Sequence, residues 1–313
     1  MQNSTDPHPE FFKLTYGQLT SIRYFYGTLL LIGLLLTVLS NGVIVIAVVS
    51  NQTLHEPMYV FICALCINGI IESIFFYPSI LVTLFKEVPI ISYSFCLLQV
   101  FLVYIYGIFE LVTLTAMALD RYLCICKPLR YNKIMTLSTV FKILTTSWLT
   151  IVIMFGTHLL LTYRLPLCDN EILKIYCDNW SIVRLSCIDT TVNNIYGLFL
   201  VSIYICLVLV FILCSYIAIL RVCVRSTLTL SKAFKTCIPQ VITTINFLTA
   251  SLFDILLYRY IPTIVPYEFR VFMSLEFLLV SPILNSFVYG LRMAELKVKI
   301  LQLLPQKSIK THT

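Results

Sequence analysis

Residues 24–55 read YFYGTLLLIGLLLTVLSNGVIVIAVVSNQTLH, an uncharged run of 32 residues between Arg23 and Glu56. An α-helix rises about 1.5 Å per residue, so roughly 20 mostly apolar residues cross the hydrocarbon core of a bilayer. This run is long enough for one crossing. The intervals Lys142 to Arg164 and Asp189 to Arg221 are equally free of charge. Four more stretches hold one acidic residue each: about 58–84 with Glu72, 96–119 with Glu110, 236–258 with Asp254 and 269–291 with Glu276. Seven spans result. Composition points the same way, since 59% of the 313 residues are apolar and 12% are charged, where a soluble domain has about a quarter charged. Seven buried helices of a water-soluble core would leave too little polar sequence to cover them. The 9 Gly and 12 Pro exclude collagen-like and low-complexity chains. The sequence therefore predicts an all-α membrane protein, a seven-transmembrane helix bundle.

With seven crossings the chain ends lie on opposite sides, and the Lys/Arg distribution orients them. If the N-terminus is outside, 14 Lys and Arg fall on the cytoplasmic side and 8 on the outer side. With acids included, the inner side carries +11, the outer side 0 and the spans −4, which accounts for the net +7. The surplus is an orientation signal and needs no nucleic-acid partner. Residues 1–23 are polar and mixed in charge with no signal-peptide run, so the first helix acts as its own insertion signal. The expected division is an extracellular tail over 1–23, the membrane domain over 24–291 and a cytoplasmic segment over 292–313. Around that last boundary Leu291, Leu296, Ile300, Leu303 and Leu304 alternate with Arg292, Glu295, Lys297 and Lys299. This is the pattern of a short amphipathic eighth helix on the inner leaflet.

Four of the 12 cysteines fall on the expected outer side: Cys96, Cys168, Cys177 and Cys187. An even number in an oxidising compartment suggests two disulfides, and four cysteines allow three pairings. The Cys63-x-x-Cys66 pair lies within a span with no histidine at metal spacing, and Cys124 and Cys126 are too close together for a zinc knuckle, so no metal or cofactor is expected. His8 and His312 lie in the tails, His55 in a short inner loop and His158 alone in the fourth span, which leaves no nucleophile and base for an enzyme. Asn3-Ser4-Thr5 is an outer glycosylation sequon, Asn179-Trp180-Ser181 a second candidate beside Cys177, and Asn51-Gln52-Thr53 a cytoplasmic match that stays bare.

Residues 117–131, at the cytoplasmic end of the third span, read MALDRYLCICKPLRY. An Asp120-Arg121 pair where a helix leaves the membrane suits a switch locked by an ion pair and opened by a partner. Asp120-Arg121-Tyr122 resembles the signature of rhodopsin-like (class A) G-protein-coupled receptors, and the longer string is similar to that of the olfactory (odorant) receptors. The likeness covers nearly the whole chain. Ser40-Asn41-Gly42 is similar to a Gly-Asn pair in span one, with Ser in place of Gly. LHEPMY at 54–59, Ser215-Tyr216, KAFKTC at 232–237 and PILNSFVYG at 282–290 resemble further family motifs, as does Tyr176-Cys177-Asp178 in the long second outer loop. LHEPMY and CICKPLRY look more like the fish branch of the family than the mammalian one.

The resemblance implies disulfides Cys96–Cys177 and Cys168–Cys187. It implies a small-molecule odorant bound in the outer half of the bundle, and a heterotrimeric G protein, through the olfactory stimulatory subtype and cyclic AMP, engaged at Asp120, Arg121, Tyr122, Tyr216, Asn285 and Tyr289. A plasma-membrane location follows from it as well. Glu110 corresponds to an acid that family members use with a span-two Asp around a sodium ion. Gly69 stands in place of that Asp, so Glu72, about one turn on, is the nearest candidate to share the site. The alternative is a protonated, hydrogen-bonded Glu110. Amine-binding relatives carry an Asp where this chain has Val103, which disfavours a charged-amine ligand anchored there. A mostly apolar pocket is expected from Val103, Tyr104, Gly107, Ser202, Ser251, Asp254 and Leu275. Asp254 and Glu276 either line that cavity or reach the outer water and pair with Arg259 or Arg270. Other departures are Ser286 for a usual Pro, which leaves the last turns of helix seven straighter, Leu248 for a common Tyr, and Pro239-Gln240 for Ser-His, which removes a polar partner of Arg121. A class A receptor for another small ligand is one rival. The other is an ion- or proton-coupled transporter using the four intramembrane acids, against which there is no internal repeat.

Overall fold

Water does not reach the backbone inside a bilayer, so each crossing segment must satisfy its own amides, and a helix does so. In the computed structural model of the chain, residues 8–14, 23–86, 88–223, 227–260, 265–292 and 294–303 are described, with only the backbone described for 227–236, 257, 258, 260, 267, 291, 292, 294, 295, 301 and 303. Seven helical spans are present among them. These are α1 (Arg23–Ser50), α2 (Pro57–Phe85), α3 (Tyr93–Cys126), α5 (Leu137–Tyr163), α7 (Thr191–Cys223) and α8 (Thr227–Tyr260). The seventh is built from α9 (Tyr267–Leu275), a π-helical turn over Glu276–Val280 and α10 (Ser281–Arg292). Short helices α4 (Pro128–Ile134) and α6 (Asn179–Val183) lie in the connections, and α11 (Ala294–Leu303) follows the bundle. The seven expected spans lie on these helices, although α3 runs seven residues past 119 and α8 starts nine residues before 236. Outward faces carry large apolar side chains such as Leu35, Leu39, Ile153, Leu160 and Phe199, the belt that meets lipid.

Helix α3 packs against α2, α5, α7 and α8, which makes it the central post of the bundle. Two close approaches fix span seven. A Cβ on Gly33 would lie 2.5 Å from Leu279, and one on Gly69 would lie 3.0 Å from Pro282. Any side chain at position 69 would press on Pro282, so a glycine there suits the close approach of span seven. Pro282 has no N–H to offer the carbonyl four residues before it, and the Tyr77 hydroxyl donates to that Leu278 oxygen at 2.8 Å instead. The last turns of span seven are regular, as expected with Ser in place of Pro: α10 runs unbroken past Ser286, and the wide turn of this span lies upstream at 276–280.

At one end of the bundle lies a small sheet of order β2-β1-β3, formed by β1 (Phe11–Leu14), β2 (Ile90–Ser92) and β3 (Glu171–Ile172). β1 is antiparallel to β2, with Phe12 opposite Ile91, and parallel to β3, with Leu14 opposite Ile172. The sequence reading treated this segment as polar tail. Its alternation is instead that of a half-buried strand, with Phe12 and Leu14 buried against Cys96, Cys177 and Ile182, and Phe11 and Lys13 turned out. At the other end α11 docks through Leu296, fully buried, and Ile300, both packed in the cluster that includes Ile44 of α1. Leu304 and Asn3 lie outside the described residues.

Candidate functional site

The sheet end of the bundle is held by two disulfides. Cys96, in the first turn of α3, is bonded to Cys177, and Cys168 to Cys187, which closes a 19-residue separation. Ser92 caps α3 by accepting the Phe95 amide, and Gln99, one turn in, accepts the Cys177 amide at 3.1 Å. The loop that carries Tyr176 and Asp178 is thereby laid across the bundle.

Beneath this loop is a cavity of about 70 Å³. Val103, Tyr104 and Gly107 form its α3 wall with Ile108 and Leu111, and Ser251 and Asp254 line it from α8 with Phe247 and Ile255. Val201 and Ile205 come from α7, Phe277 from span seven, and Tyr176 and Asp178 from the loop. Five of the seven expected lining residues are present and two are not. Ser202 is exposed on the outer face of α7, one residue and so about 100° of helix from Val201. Leu275 is buried in the core but does not line the cavity, and Phe277, inside the π-helical turn, takes its place.

Asp254 is 3% exposed and fully engaged. Its Oδ2 accepts from Lys174 Nζ at 2.5 Å and Tyr176 hydroxyl at 2.7 Å, and its Oδ1 from Ser274 Oγ at 2.6 Å. The partner is thus a loop lysine, and not Arg259 or Arg270. Burial first, and then the Asp254 carboxylate, push the Tyr176 hydroxyl well above its ordinary range, so it acts as a fixed donor. Glu276 does not line the cavity, and its Oε2 is buried without a hydrogen-bond partner.

A second chamber of about 40 Å³ adjoins the first and shares Tyr104, Asp178, Val201 and Ile255 with it. It is polar, lined by His158, Asn179, Asn193, Asn194 and Arg259 among others. Asn179 accepts from Thr162 Oγ1 at 2.6 Å and its amide nitrogen lies 3.0 Å from His158 Nε2. At 5% exposure Asn179 is a structural hydrogen-bonding residue facing the interior. Arg259 lies over the Trp180 ring, 4.2 Å from its centroid. Among the described residues, Arg259 NH2, Asn193 Nδ2 and Asn194 Oδ1 are buried with no hydrogen-bond partner. No motif marks Asn193 and Asn194, and the sequence points to Arg259 only as a partner for Asp254.

Below the cavity, Glu110 is buried and its Oε1 accepts from Ser281 Oγ at 2.7 Å and Asn285 Nδ2 at 2.8 Å. Glu72 is buried too, and among the described residues no hydrogen bond joins it to Glu110. Tyr289, one turn on from Asn285, meets Thr243 Oγ1 of α8 at 3.1 Å. Gln240 Nε2 donates to the Leu114 carbonyl of α3 at 2.5 Å. The replacement of Ser-His by Pro239-Gln240 thus ties α8 to the α3 backbone rather than to Arg121.

At the far end, Asp120 is fully buried and accepts from the Tyr131 hydroxyl of α4 at 2.8 Å. Arg121 Nε is 3.7 Å from Asp120 Oδ2, an ion pair without a hydrogen bond. Tyr122 and Tyr216 pack on Ile219, Cys223 and Cys237, and the Tyr216 hydroxyl has no hydrogen-bond partner. The residues expected at the switch therefore fall in two groups: Asp120, Arg121, Tyr122 and Tyr216 at the end of the bundle, and Asn285 and Tyr289 in the polar layer above.

Seven spans, a disulfide from the third to the long loop, a cavity beneath that loop and an acid–arginine pair at the opposite end define a seven-helix membrane receptor. A family model for olfactory receptors matches residues 30–307. The human olfactory receptor 52K1 is 28% identical over 98% of this chain and 99% of its own length. Human olfactory receptors 6N1 and 51I2 are each 32% identical, over 92% and 95% of this chain and 92% and 96% of theirs. The chain belongs to the olfactory receptor family, odorant-sensing G-protein-coupled receptors that cross the plasma membrane several times.

Proposed function

We propose that the chain binds a small odorant in the cavity under the long loop and that this binding opens the Arg121 end to a heterotrimeric G protein. The N-terminal tail, 1–23, is extracellular, the bundle over 24–291 carries both sites, and 292–313 with α11 is cytoplasmic. One observation carries the reading: the elements that wall the cavity also hold the polar layer and the switch. Gly107 of the cavity, Glu110 of the layer and Arg121 follow one another on α3. Phe247 lies two turns from Gln240 on α8, and Phe277 lies one turn from Ser281 on span seven. A ligand wedged among these side chains changes the packing of α3 against α8 and span seven, where the layer's hydrogen bonds sit.

The ligand has an apolar body, matched to Val103, Phe247 and Phe277, and an oxygen acceptor that reaches the unpaired donors of Arg259 and Asn193 in the second chamber. On the inside Arg121 leaves Asp120, and with Tyr122 and Tyr216 it meets the G protein, of the stimulatory class that raises cyclic AMP. The test is a cyclic-AMP reporter in cells expressing the chain, screened with small odorants and repeated with Arg121→Ala. The variant, present at the surface, loses the evoked signal by more than about tenfold, as when a charge-assisted contact of 1.5–3 kcal/mol is removed. An evoked signal that survives unchanged refutes the coupling role.

A further inference from the structure

The Lys174 ammonium sits in a built site. It lies 2.5 Å from Asp254 Oδ2, 3.4 Å from Asp178 Oδ2 and 4.5 Å from the centroid of the Tyr176 ring. Two carboxylates and a ring face around one –NH3⁺ supply charge compensation, hydrogen-bond acceptors and a cation–π contact. The Lys174 and Asp254 side chains are 1% and 4% exposed, so the pair is out of water. The site also opens on the ligand cavity, because Asp254, Asp178 and Tyr176 all line it. The cation comes from 80 residues away in the chain, on a loop fastened to α3 by Cys177.

We propose that Asp254, Asp178 and Tyr176 form a primary-ammonium subsite of the ligand cavity that Lys174 fills in cis, and that Lys174 thereby sets ligand specificity against amines. This deepens the odorant reading of the cavity and rests on it. With Lys174 in place, Asp178 and Asp254 face Lys174 and Arg259, and the acids and bases around the two chambers balance. An incoming alkylammonium ion meets an occupied site and, across the chamber, the like charge of Arg259. A neutral or anionic ligand meets neither obstacle. Removal of Lys174 leaves one uncompensated negative charge in a buried wall, which is costly until a cation returns. Truncation to Ala deletes Cγ, Cδ, Cε and Nζ, the atoms of n-propylammonium, so the geometry defines the ion that refills the gap.

The experiment is a melting series on the full chain, purified in lipid nanodiscs at pH 7, titrated with n-propylamine and, as the uncharged control, n-propanol. Wild type does not respond to either. Lys174→Ala melts lower, and n-propylamine raises its midpoint by roughly 2–4 °C at ten times the apparent Kd, while n-propanol does not. Lys174→Ala combined with Asp254→Asn shows no rise. The proposal is overturned if Lys174→Ala is not raised, if the double variant is raised equally, or if wild type responds as the single variant does. Where Lys174→Ala is lost before purification, n-propylamine in the growth medium restores its surface display at least twofold, and absence of restoration overturns the proposal as well. No odorant or G protein enters these measurements, so their failure leaves the receptor reading standing, and a receptor without odorant response leaves the ammonium site standing.

Discussion

Glu110 offers the sharpest test of what a buried acid does in this bundle. Its Oε1 receives Ser281 Oγ at 2.7 Å and Asn285 Nδ2 at 2.8 Å, at 2% exposure. Glu110→Ala deletes the acceptor and leaves both donors buried and unpaired. Each such orphan costs about 1–3 kcal/mol, so the pair costs about 2–6 kcal/mol. A chain of this size shifts its melting temperature by roughly 2 °C per kcal/mol, which gives a fall of about 4–12 °C. Glu110→Gln keeps an oxygen in the place of Oε1 and is expected within about 2 °C of wild type on the same scale. Melting of the purified protein in sodium chloride and in choline chloride at equal ionic strength separates acceptor from charge. If Glu110 acts as an acceptor, the two salts give the same midpoint for wild type and for Glu110→Gln. The reasoning is refuted if Glu110→Gln falls as far as Glu110→Ala. A sodium stabilisation that Glu110→Gln abolishes refutes it too, and points to a cation held with Glu72.

Two further outcomes follow from the cavity and the long loop. A Cβ on Gly107 would meet Phe247 at 3.5 Å and Phe277 at 3.8 Å, ordinary contact distances, so Gly107→Ala changes odorant potency by less than about fivefold. Gly107→Phe fills the cavity, and the dose–response in the reporter assay is lost while surface display is kept; a retained response places the ligand elsewhere. Glycopeptide mapping of the expressed chain finds Asn179 and Asn51 bare and Asn3 modified, because Asn179 is sealed against Thr162 and His158. Glycan on Asn51 in place of Asn3 reverses the orientation of the bundle.

The seven spans were legible because a bilayer imposes a one-dimensional rule, a run of apolar residues of fixed minimum length, and residues 24–55 satisfy it without reference to any other part of the chain. The walls of the cavity were less legible because they depend on helix phase. Ser202 and Val201 differ by one residue and so by about 100° of helix, enough to take Ser202 out of the cavity, and the π-helical turn at Glu276–Val280, which no residue pattern announces, carries Phe277 into the place expected for Leu275. Least legible was the partner of Asp254. A local reading looks for a cation one or two turns away and finds Arg259, whereas the loop that Cys177 anchors delivers Lys174 from 80 residues upstream. β1 was hidden for the opposite reason: four residues are too few to show a period, and Phe12 and Leu14 gain their meaning only from the surface they cover.

The departures from the family's motifs look independent along the sequence, but several of them meet in one seam between spans one, two and seven. Gly69 lets Pro282 approach so closely that a Cβ there would lie 3.0 Å from it. Pro282 leaves the Leu278 carbonyl without its helical donor, and Tyr77, two turns beyond Gly69 on α2, supplies one. The Pro282 carbonyl in turn accepts Asn41 Nδ2 at 3.1 Å, and one turn on, the Ser286 hydroxyl lies 2.7 Å from that of Ser40. Ser40 and Ser286 are therefore neighbouring departures, and each hydroxyl also has a backbone acceptor on its own helix, the Leu36 and Ile283 carbonyls. Glu110 reaches the same seam through Ser281 and Asn285, so the side chain that replaces the missing span-two acid as its neighbour is a hydrogen-bond donor of span seven. A buried carboxyl group needs hydrogen-bond donors or loses its charge, and here span seven, packed close against α2 at Gly69, brings them.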